Sequence, residues 1–154
     1  MYRKILVPVD GSPTAQQGLQ EAIKLAKATG AKLRIVYVVN EFVFDARYLT
    51  QQTFEMLLEA RRADGLSILD DAQKLVRQAQ VEFTTALIET VAGRVSDLIL
   101  AAARECSADL IVMGTHGRRG LSRLVLGSDA EMVLRSSPVP VLFVRGPAES
   151  TTGK

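Results

Sequence analysis

The sequence contains a single cysteine, Cys106, so the chain has no internal disulfide to stabilise it. The cysteine follows closely on a run of three alanines, Ala101 to Ala103. An isolated cysteine among small apolar residues is typical of a core position rather than of a reactive nucleophile. We therefore expect the fold to depend on a packed core, with Cys106 as a small part of it.

Long apolar runs are also missing, and so is a strong charge of either sign. No stretch approaches the roughly 20 apolar residues of a membrane-spanning helix. The run from Ile5 to Val9 is too short for a signal peptide and lacks a cleavage site. The net charge of +2 is too weak to favour nucleic acid or an anionic membrane as a partner. We expect a cytoplasmic protein with neither of these partners.

The chain does contain the material for one globular domain. Of its 154 residues, 47% are hydrophobic and 23% are charged, the balance of a chain that folds around a single core. We expect residues 1–146 to form this domain and the polar residues 147–154 to form a flexible tail. Residues 40–50 are expected to form a second loose segment.

Five apolar runs predict β-strands. Most are continuous rather than alternating, as expected for strands that are buried on both faces in a parallel sheet. The weakest spans residues 81–88. The other four are Ile5 to Val9, Leu33 to Val39, Leu110 to Met113 and Val139 to Val144.

Apolar residues at helical spacing fill the intervals between these runs. Ser12, Pro13 and Gly30 suit the N-cap, first turn and C-terminus of the first helix. The second helix is long, and Gly65 within it predicts a bend, a break or a close packing contact. The third and fourth helices are predicted to bury Val95, Leu98, Ile99, Ala102, Ala130, Val133 and Leu134. This alternation predicts an α/β fold with a parallel sheet and right-handed crossovers.

One segment combines a strand end, several glycines and a helix start. It runs from Met113 to Ser128, whose hydroxyl we expect to cap the following helix, and it includes Gly114, Gly117 and Gly127. In an open parallel sheet, ligands bind beyond the carboxyl ends of the strands. Glycines let the backbone approach a phosphate, and a helix N-terminus offers unpaired N–H groups and a partial positive charge. Cations are supplied nearby by Arg118, Arg119 and Arg123. The segment therefore predicts a phosphate-binding site.

Other familiar phosphate and nucleic-acid motifs do not match this segment. A Walker A loop and the Gly-x-Gly-x-x-Gly dinucleotide motif are both absent. Residues 117–120 match the GXXG loop of RNA-binding KH domains, but that loop joins two helices, whereas this one follows a predicted strand. His116 is the only histidine, so we interpret it as a loop residue near phosphate rather than as a zinc ligand or catalytic base.

The spacing Gly114-x2-Gly117-x9-Gly127-Ser128 resembles the ATP-binding signature of the universal stress protein family. Residues 4–12, Lys-Ile-Leu-Val-Pro-Val-Asp-Gly-Ser, resemble the opening strand and loop of that family, and residues 137–144 resemble its last strand. The resemblance covers about residues 2 to 145 in matching order, which makes it far more specific than one glycine motif.

The resemblance implies a Rossmann-like open sheet of five parallel strands in the order 3-2-1-4-5, with helices on both faces. It also implies ATP as ligand, with Mg²⁺ or Mn²⁺. The adenosine end would lie against Pro8, Val9, Asp10, Val38 and Val39. Met113 and Gly114 would lie near ribose and adenine. The remaining implied site residues, towards the phosphates, are Thr115, His116, Gly117, Arg118, Gly127, Ser128, Asp129 and Ala130.

Two of these positions depart from the pattern of many ATP-binding members. A small hydrophobic residue and then a hydroxyl commonly follow the Gly-Ser pair, whereas this chain has Asp129 and Ala130. Ala130 removes a hydroxyl donor. Asp129 would repel phosphate, help to hold a divalent cation, or complement the helix dipole. Asp10 is likewise open to two interpretations, as a nucleotide contact or as a residue that holds its own turn.

Three functions follow from these patterns. The first is a stress-response or signalling module whose bound ATP changes its shape or partners. The second is a slow ATP-hydrolysing or autophosphorylating enzyme, and the third is a nucleotide-free interaction protein. The absence of paired carboxylates and of a lysine after the loop glycines argues against a dedicated enzyme. A homodimer is also expected, because an apolar last strand at a sheet edge, with Pro138 and Pro140, can pair with its copy.

Overall fold

Five strands alternate with four helices along the part of the chain that the computed structural model describes, residues 1–40, 49–90, 93–116 and 126–146. This order matches the predicted alternation. The predicted loose segment at residues 40–50 and the predicted tail fall largely or wholly outside the described residues. The strands are β1 (Lys4–Pro8), β2 (Lys32–Asn40), β3 (Phe83–Thr90), β4 (Leu110–Gly114) and β5 (Val141–Val144). The helices are α1 (Pro13–Thr29), α2 (Gln51–Gln78), α3 (Val95–Glu105) and α4 (Ser128–Ser136).

The five strands form one parallel sheet in the order β3-β2-β1-β4-β5, which confirms the implied order. β1 lies in the middle of the sheet. Its residue Ile5 is opposite Leu33 of β2 on one side and opposite Leu110 of β4 on the other. The chain leaves β1 towards one side of the sheet and leaves β4 towards the other, so the strand order reverses between these two strands. A cleft at such a point is where open parallel sheets bind ligands.

Helices cover both faces of the sheet and create two cores. The core beneath α1 and α2 includes Ile5 and Val7, whereas the core beneath α3 and α4 includes Leu6 and Ile111. Successive side chains of a strand point to opposite faces. Because both faces are covered, neighbouring residues of β1 are buried in turn, and this explains its continuous apolar run.

β2 extends further than β1 at the carboxyl edge of the sheet. Pairing with β1 ends where Pro8 lies opposite Val36, and one further hydrogen bond runs from the Val9 N–H to the Val36 carbonyl (2.9 Å). Pairing with β3 continues until Asn40 lies opposite Thr90. Residues 37–40 therefore project past the end of β1 while β3 still supports them.

The signals predicted for α1 are confirmed. Ser12 is its N-cap, and the Ala15 N–H donates to the Ser12 hydroxyl (3.2 Å). Pro13 occupies the first turn. Gly30 ends the helix with a φ of 73°, a left-handed conformation that suits glycine.

α2 is continuous through Gly65, so of the three predicted alternatives the close packing contact is confirmed. A Cβ atom at this position would lie 2.5 Å from the Tyr37 ring of β2 and 2.8 Å from Leu87 of β3. Glycine therefore lets α2 lie directly against the buried Tyr37 ring.

Four details differ from the predictions. β3 covers Phe83–Thr90 rather than residues 81–88. Leu134 does not face the core but is 54% exposed, because α4 lies at the β5 edge of the sheet, where the described residues provide no further helix. β5 begins at Val141 rather than at Val139, although Pro140 still accepts a hydrogen bond from the Ile111 N–H (3.0 Å). Cys106 is half-buried against the core beneath α3 and α4 rather than fully enclosed.

Candidate functional site

Three parts of the chain carry the described residues of the predicted site at the carboxyl edge of the sheet. They are the end of β1 with Pro8, Val9 and Asp10, the end of β2, and the two ends of the connection between β4 and α4. Gly117 and Arg118 lie outside the described residues, as do Arg119 and Arg123. The remaining site residues are Val38, Val39, Met113, Gly114, Thr115, His116, Gly127, Ser128, Asp129 and Ala130.

Asp10 holds the turn between β1 and α1. Its Oδ1 accepts a hydrogen bond from the Ser12 N–H (2.8 Å), and Gly11 between them has a φ of 80°. This is the local turn-forming role of aspartate, one of its two predicted interpretations. The turn fixes one carboxylate oxygen of Asp10 at the end of β1, beside the point where the strand order reverses.

A chain of side-chain hydrogen bonds joins this turn to the end of β4. The Ser12 hydroxyl lies 3.2 Å from the Thr14 hydroxyl, and Thr14 in turn donates to the His116 carbonyl. Ser12 and Thr14 are both buried. The start of α1 and the segment that follows β4 are thus held together across the cleft.

Gly114 is required by this close approach. A Cβ atom at this position would lie 2.8 Å from the backbone carbon of Thr14 and 2.9 Å from its hydroxyl oxygen. A methyl group there would force α1 away from β4. Packing alone therefore explains this glycine, which the sequence had associated with a ligand.

The two ends of the connection between β4 and α4 are bonded to each other. The Thr115 N–H donates to the Val144 carbonyl at the end of β5 (3.1 Å), and the Gly127 N–H donates to the Thr115 carbonyl (2.8 Å). The Thr115 hydroxyl also lies 3.0 Å from Nδ1 of His116. These bonds bring the start of α4 directly beside the end of β4.

Gly127, and not Ser128, is the N-cap of α4, which corrects the prediction that Ser128 is a cap. Glycine has no side chain to accept a hydrogen bond from the first turn, and Ser128 is already the first helical residue. The N–H groups of a first helical turn have no partner within the helix. The N-cap glycine of α4 supplies no side-chain cap to them, so a bound anion could take that role.

Asp129 and Ala130, in the same first turn, point their side chains into the protein. The Asp129 carboxylate accepts a hydrogen bond from the Ser96 N–H in the first turn of α3 (3.3 Å). Ala130 is only 3% exposed and belongs to the core beneath α3 and α4. Ala130 can therefore contact a ligand only through its backbone, while Asp129 complements the dipole of α3.

The end of β2 presents backbone rather than side chains to this edge. Val39 is buried in the core beneath α1 and α2, and Val38 packs partly against the opposite core. Because β2 projects past β1, the peptide groups near Val38 and Val39 lie beside the cleft.

Sequence reasoning missed two residues that shape the site, Thr14 and Ser96. Ser12-x-Thr14 is a visible pair of hydroxyls next to Asp10, but its partner His116 is about a hundred positions away. The partner of Ser96, Asp129, is 33 positions away and lies in another helix. Among the residues that the structure describes, no group of three His, Cys, Asp or Glu side chains is arranged to hold a metal ion.

Backbone donors at a helix start beside a strand end can hold a phosphate or a similar anion.

None of the helices within the described ranges has the length and apolar character needed to cross a membrane.

Comparison with known proteins gives consistent matches along nearly the whole chain. A family model described as the universal stress protein family matches residues 1–145. A universal stress protein of Methanocaldococcus jannaschii is 34% identical over 147 residues, which cover 96% of this chain and 84% of that protein.

Solved structures give the same picture. A protein of the universal stress protein family from Burkholderia pseudomallei is 38% identical, with a TM-score of 0.76 and coverage of 93% of this chain and 96% of that one. A universal stress protein crystallised in complex with cAMP is 25% identical, with a TM-score of 0.69 and coverage of 94% and 97%.

Proposed function

The chain belongs to the universal stress protein family, and from this we propose that it is a nucleotide-binding module that holds ATP at the carboxyl edge of its sheet. In this proposal the bound nucleotide changes the shape or the partners of the protein in a stress response or in signalling. The module acts in the cytoplasm.

The observation that carries the proposal is the start of α4. Its N-cap residue, Gly127, provides no side-chain cap, and the bond from the Gly127 N–H to the Thr115 carbonyl holds the helix start against the end of β4. An anion at this point would accept hydrogen bonds from the backbone and interact favourably with the helix dipole. A nucleotide phosphate is such an anion, and the rest of the nucleotide would extend along the cleft towards β1 and β2.

The adenine end of the ligand is supported by a second observation. The solved relative that is bound to cAMP carries an adenine nucleotide. In this chain β2 extends past the end of β1 by residues 37–40, so its backbone donors and acceptors lie at the same edge of the sheet as the start of α4. Backbone groups in fixed positions can distinguish the edge of adenine from that of guanine.

We therefore expect ATP to bind more tightly than GTP. The measurement is a pair of calorimetric titrations at one magnesium concentration. A tenfold difference corresponds to about 1.4 kcal/mol, which is within the range of one or two hydrogen bonds. Equal affinities would contradict the proposed contact between β2 and the base.

The divalent cation of the proposal, Mg²⁺ or Mn²⁺, would be held mainly by the phosphates. Magnesium is commonly bound through one or two carboxylates together with substrate phosphates. Asp129 is a carboxylate in the first turn of α4, beside the proposed phosphate position, although its bond to Ser96 competes for this role.

The direct test has two parts. The purified protein is denatured, and any released nucleotide is identified by mass spectrometry. The affinity for ATP is then measured in Gly127→Val, whose side chain would cover the first turn of α4. A Cβ atom at this position would lie 3.2 Å from the His116 Cα, so a small local adjustment is needed, and circular dichroism checks that the fold persists.

We expect Gly127→Val to lose ATP binding and to remain folded. Ser136→Val is a suitable control, because it places the same side chain at an exposed position in the last turn of α4, away from the proposed phosphate position. Unchanged ATP affinity in a folded Gly127→Val variant would mean that the site lies elsewhere.

We also propose that two copies of the chain associate through β5. This strand lies at the edge of the sheet, and its Leu142 is 37% exposed. Pro140 lacks an N–H and suits an edge position. Antiparallel pairing of β5 with its copy across a two-fold axis would cover both edges.

A further inference from the structure

We propose that Thr14 is a positioning residue that sets the geometry of the phosphate end of the proposed nucleotide site. It lies in the first turn of α1, is only 5% exposed, and donates its hydroxyl hydrogen to the His116 carbonyl. The inference rests on the proposed function, because it concerns how that site is built. No role for Thr14 follows from the glycine motif.

The direction of the hydrogen-bond chain follows from counting protons. A carbonyl can only accept, so the single hydroxyl proton of Thr14 is directed to His116. Ser12 must then donate its own proton to Thr14 across 3.2 Å, while it accepts the Ala15 N–H. The hydroxyls of Ser12 and Thr14 are therefore both satisfied in one arrangement only. This fixes His116 relative to the N-cap of α1.

The carbon atoms of Thr14 are equally confined. The backbone carbon and Cβ of Thr14 lie 2.8 and 2.9 Å from where a Gly114 Cβ would be, and its Cγ2 lies 2.9 Å from where a Gly146 Cβ would be. Two glycines, Gly114 at the end of β4 and Gly146 just after β5, thus leave a slot that threonine fills. Thr14 contacts the ends of both strands.

The effect reaches α4 through one intervening residue. Thr14 fixes the His116 carbonyl, and the neighbouring Thr115 carbonyl accepts the N–H of Gly127, the N-cap of α4. If the Thr14 hydroxyl is lost, the His116 carbonyl loses a buried partner and the segment can shift. The first turn of α4 would then move relative to the base-binding end at β1 and β2. A ligand that bridges both ends should be affected more than one that uses only the base end.

The experiment compares ATP with adenosine in Thr14→Val and Thr14→Ser. Valine keeps the shape of threonine and removes the hydroxyl, whereas serine keeps the hydroxyl and removes the methyl. Calorimetry of Thr14→Val should show a loss of ATP affinity of about tenfold, the size expected for one lost hydrogen bond. Adenosine affinity should change less than about twofold. Thr14→Ser should keep the wild-type ratio of the two affinities.

Thr29→Val is the matched control. Thr29 is at the other end of α1, and its hydroxyl donates to the Leu25 carbonyl (2.8 Å), so the same chemical change is made away from the site. This variant should bind ATP like the wild type. If Thr14→Val does not fold, Thr14→Cys replaces it, because a thiol of similar size is a weak donor and should lower the same ratio.

The outcomes separate this inference from the proposed function. If the wild type binds ATP but Thr14→Val binds it unchanged, or loses ATP and adenosine equally, the positioning role is overturned and the proposed function stands. A loss in Thr14→Ser as large as that in Thr14→Val would also overturn the role of the hydroxyl. A wild type that binds neither ligand would overturn both proposals.

Discussion

Asp129 lies in the first turn of α4, but its side chain forms a hydrogen bond at the start of α3. Its carboxylate accepts the Ser96 N–H at the start of α3, whose own N-cap position, Arg94, makes no side-chain cap. A carboxylate at a helix N-terminus is stabilising. Asp129 therefore links α3 and α4, and it also brings a negative charge close to the proposed phosphates. The two roles have different consequences and can be separated by substitution.

Asp129→Asn should separate them, because asparagine keeps an oxygen acceptor for Ser96 and removes the charge. We expect ATP affinity without magnesium to rise in this variant, since a carboxylate repels phosphate, and the gain to shrink or reverse with magnesium present. Calorimetry under both conditions measures this. Thermal unfolding should show a smaller loss of stability for Asp129→Asn than for Asp129→Ala, which loses about 1 kcal/mol of capping. Weaker ATP binding of Asp129→Asn in both conditions would mean that the carboxylate is a favourable contact.

Asp109 fastens the beginning of β1 to the beginning of β4. Its two carboxylate oxygens accept the N–H groups of Arg3 (2.8 Å) and Lys4 (3.0 Å). Partial burial by itself would raise the pKa of Asp109, but these backbone hydrogen bonds outweigh it and hold the pKa below its usual value. Since the folded pKa is the lower one, the stabilisation is present above the unfolded pKa of about 4 and is lost as pH falls through the folded pKa.

Asp109→Asn should therefore cost about 1 kcal/mol of stability at pH 7, because a neutral amide cannot accept both bonds. The difference from wild type should shrink as the pH falls through the folded pKa of Asp109, where the wild-type carboxyl also becomes neutral. Urea unfolding at a series of pH values measures it, with Glu105→Gln at the exposed end of α3 as control. A difference that stays constant with pH would show that charge is not involved.

Gly65 decides how closely α2 packs against the sheet. Gly65→Ala should gain up to about 1 kcal/mol of helix propensity but lose about 1–3 kcal/mol from overpacking against Tyr37 and Leu87. We expect a net loss of stability. In the Tyr37→Leu background the same substitution should cost less, because the nearest ring atoms are gone. Ser67→Ala, on the exposed side of α2, controls for propensity alone. An equal cost in both backgrounds would exclude the ring as the cause.

The elements themselves were predictable because their signals are local. The continuous run of β1 and the Ser12, Pro13 and Gly30 signals of α1 each lie within a few residues of the feature that they specify. The packing role of Gly114 and the exposure of Leu134 were not predictable from spacing. Both depend on which element lies alongside, α1 against β4 in one case and open space beside α4 in the other. The helical period identifies the apolar face of a helix, but it does not show whether neighbouring elements cover the whole of that face.

The candidate site divides in the same way. The glycine spacing predicted a strand end at Gly114 and a helix start near Gly127, and the structure has both, because the signals for strand ends and helix starts are local. The side-chain directions of Asp129 and Thr14 were hidden, because their partners Ser96 and His116 come from distant parts of the chain. Polar contacts between remote segments are set by the tertiary fold, not by local pattern.

For the molecule as a whole, the exposed edge of β5 predicts a concentration-dependent dimer. Light scattering at micromolar concentration should give about twice the chain mass of 16.7 kDa. Leu142→Lys should shift the protein towards the monomer, because a charge at an edge strand opposes pairing. Val144 is a poorer choice, since it packs against the core beneath α1 and α2. As a control, Met56→Lys places the same charge at an exposed position on α2 and should leave the dimer intact. A wild-type mass of one chain would contradict the proposal.

The central position of β1 has a consequence for how the protein is made. β1 is translated first, yet one of its two partners, β4, is about a hundred residues later in the chain. At about 5–20 residues per second, roughly 5 to 20 seconds pass on the ribosome before β4 emerges. During that interval β1, α1 and β2 can associate, but the apolar edge of β1 that β4 will occupy stays open to other chains. Newly made protein should therefore depend on chaperones until β4 closes this edge.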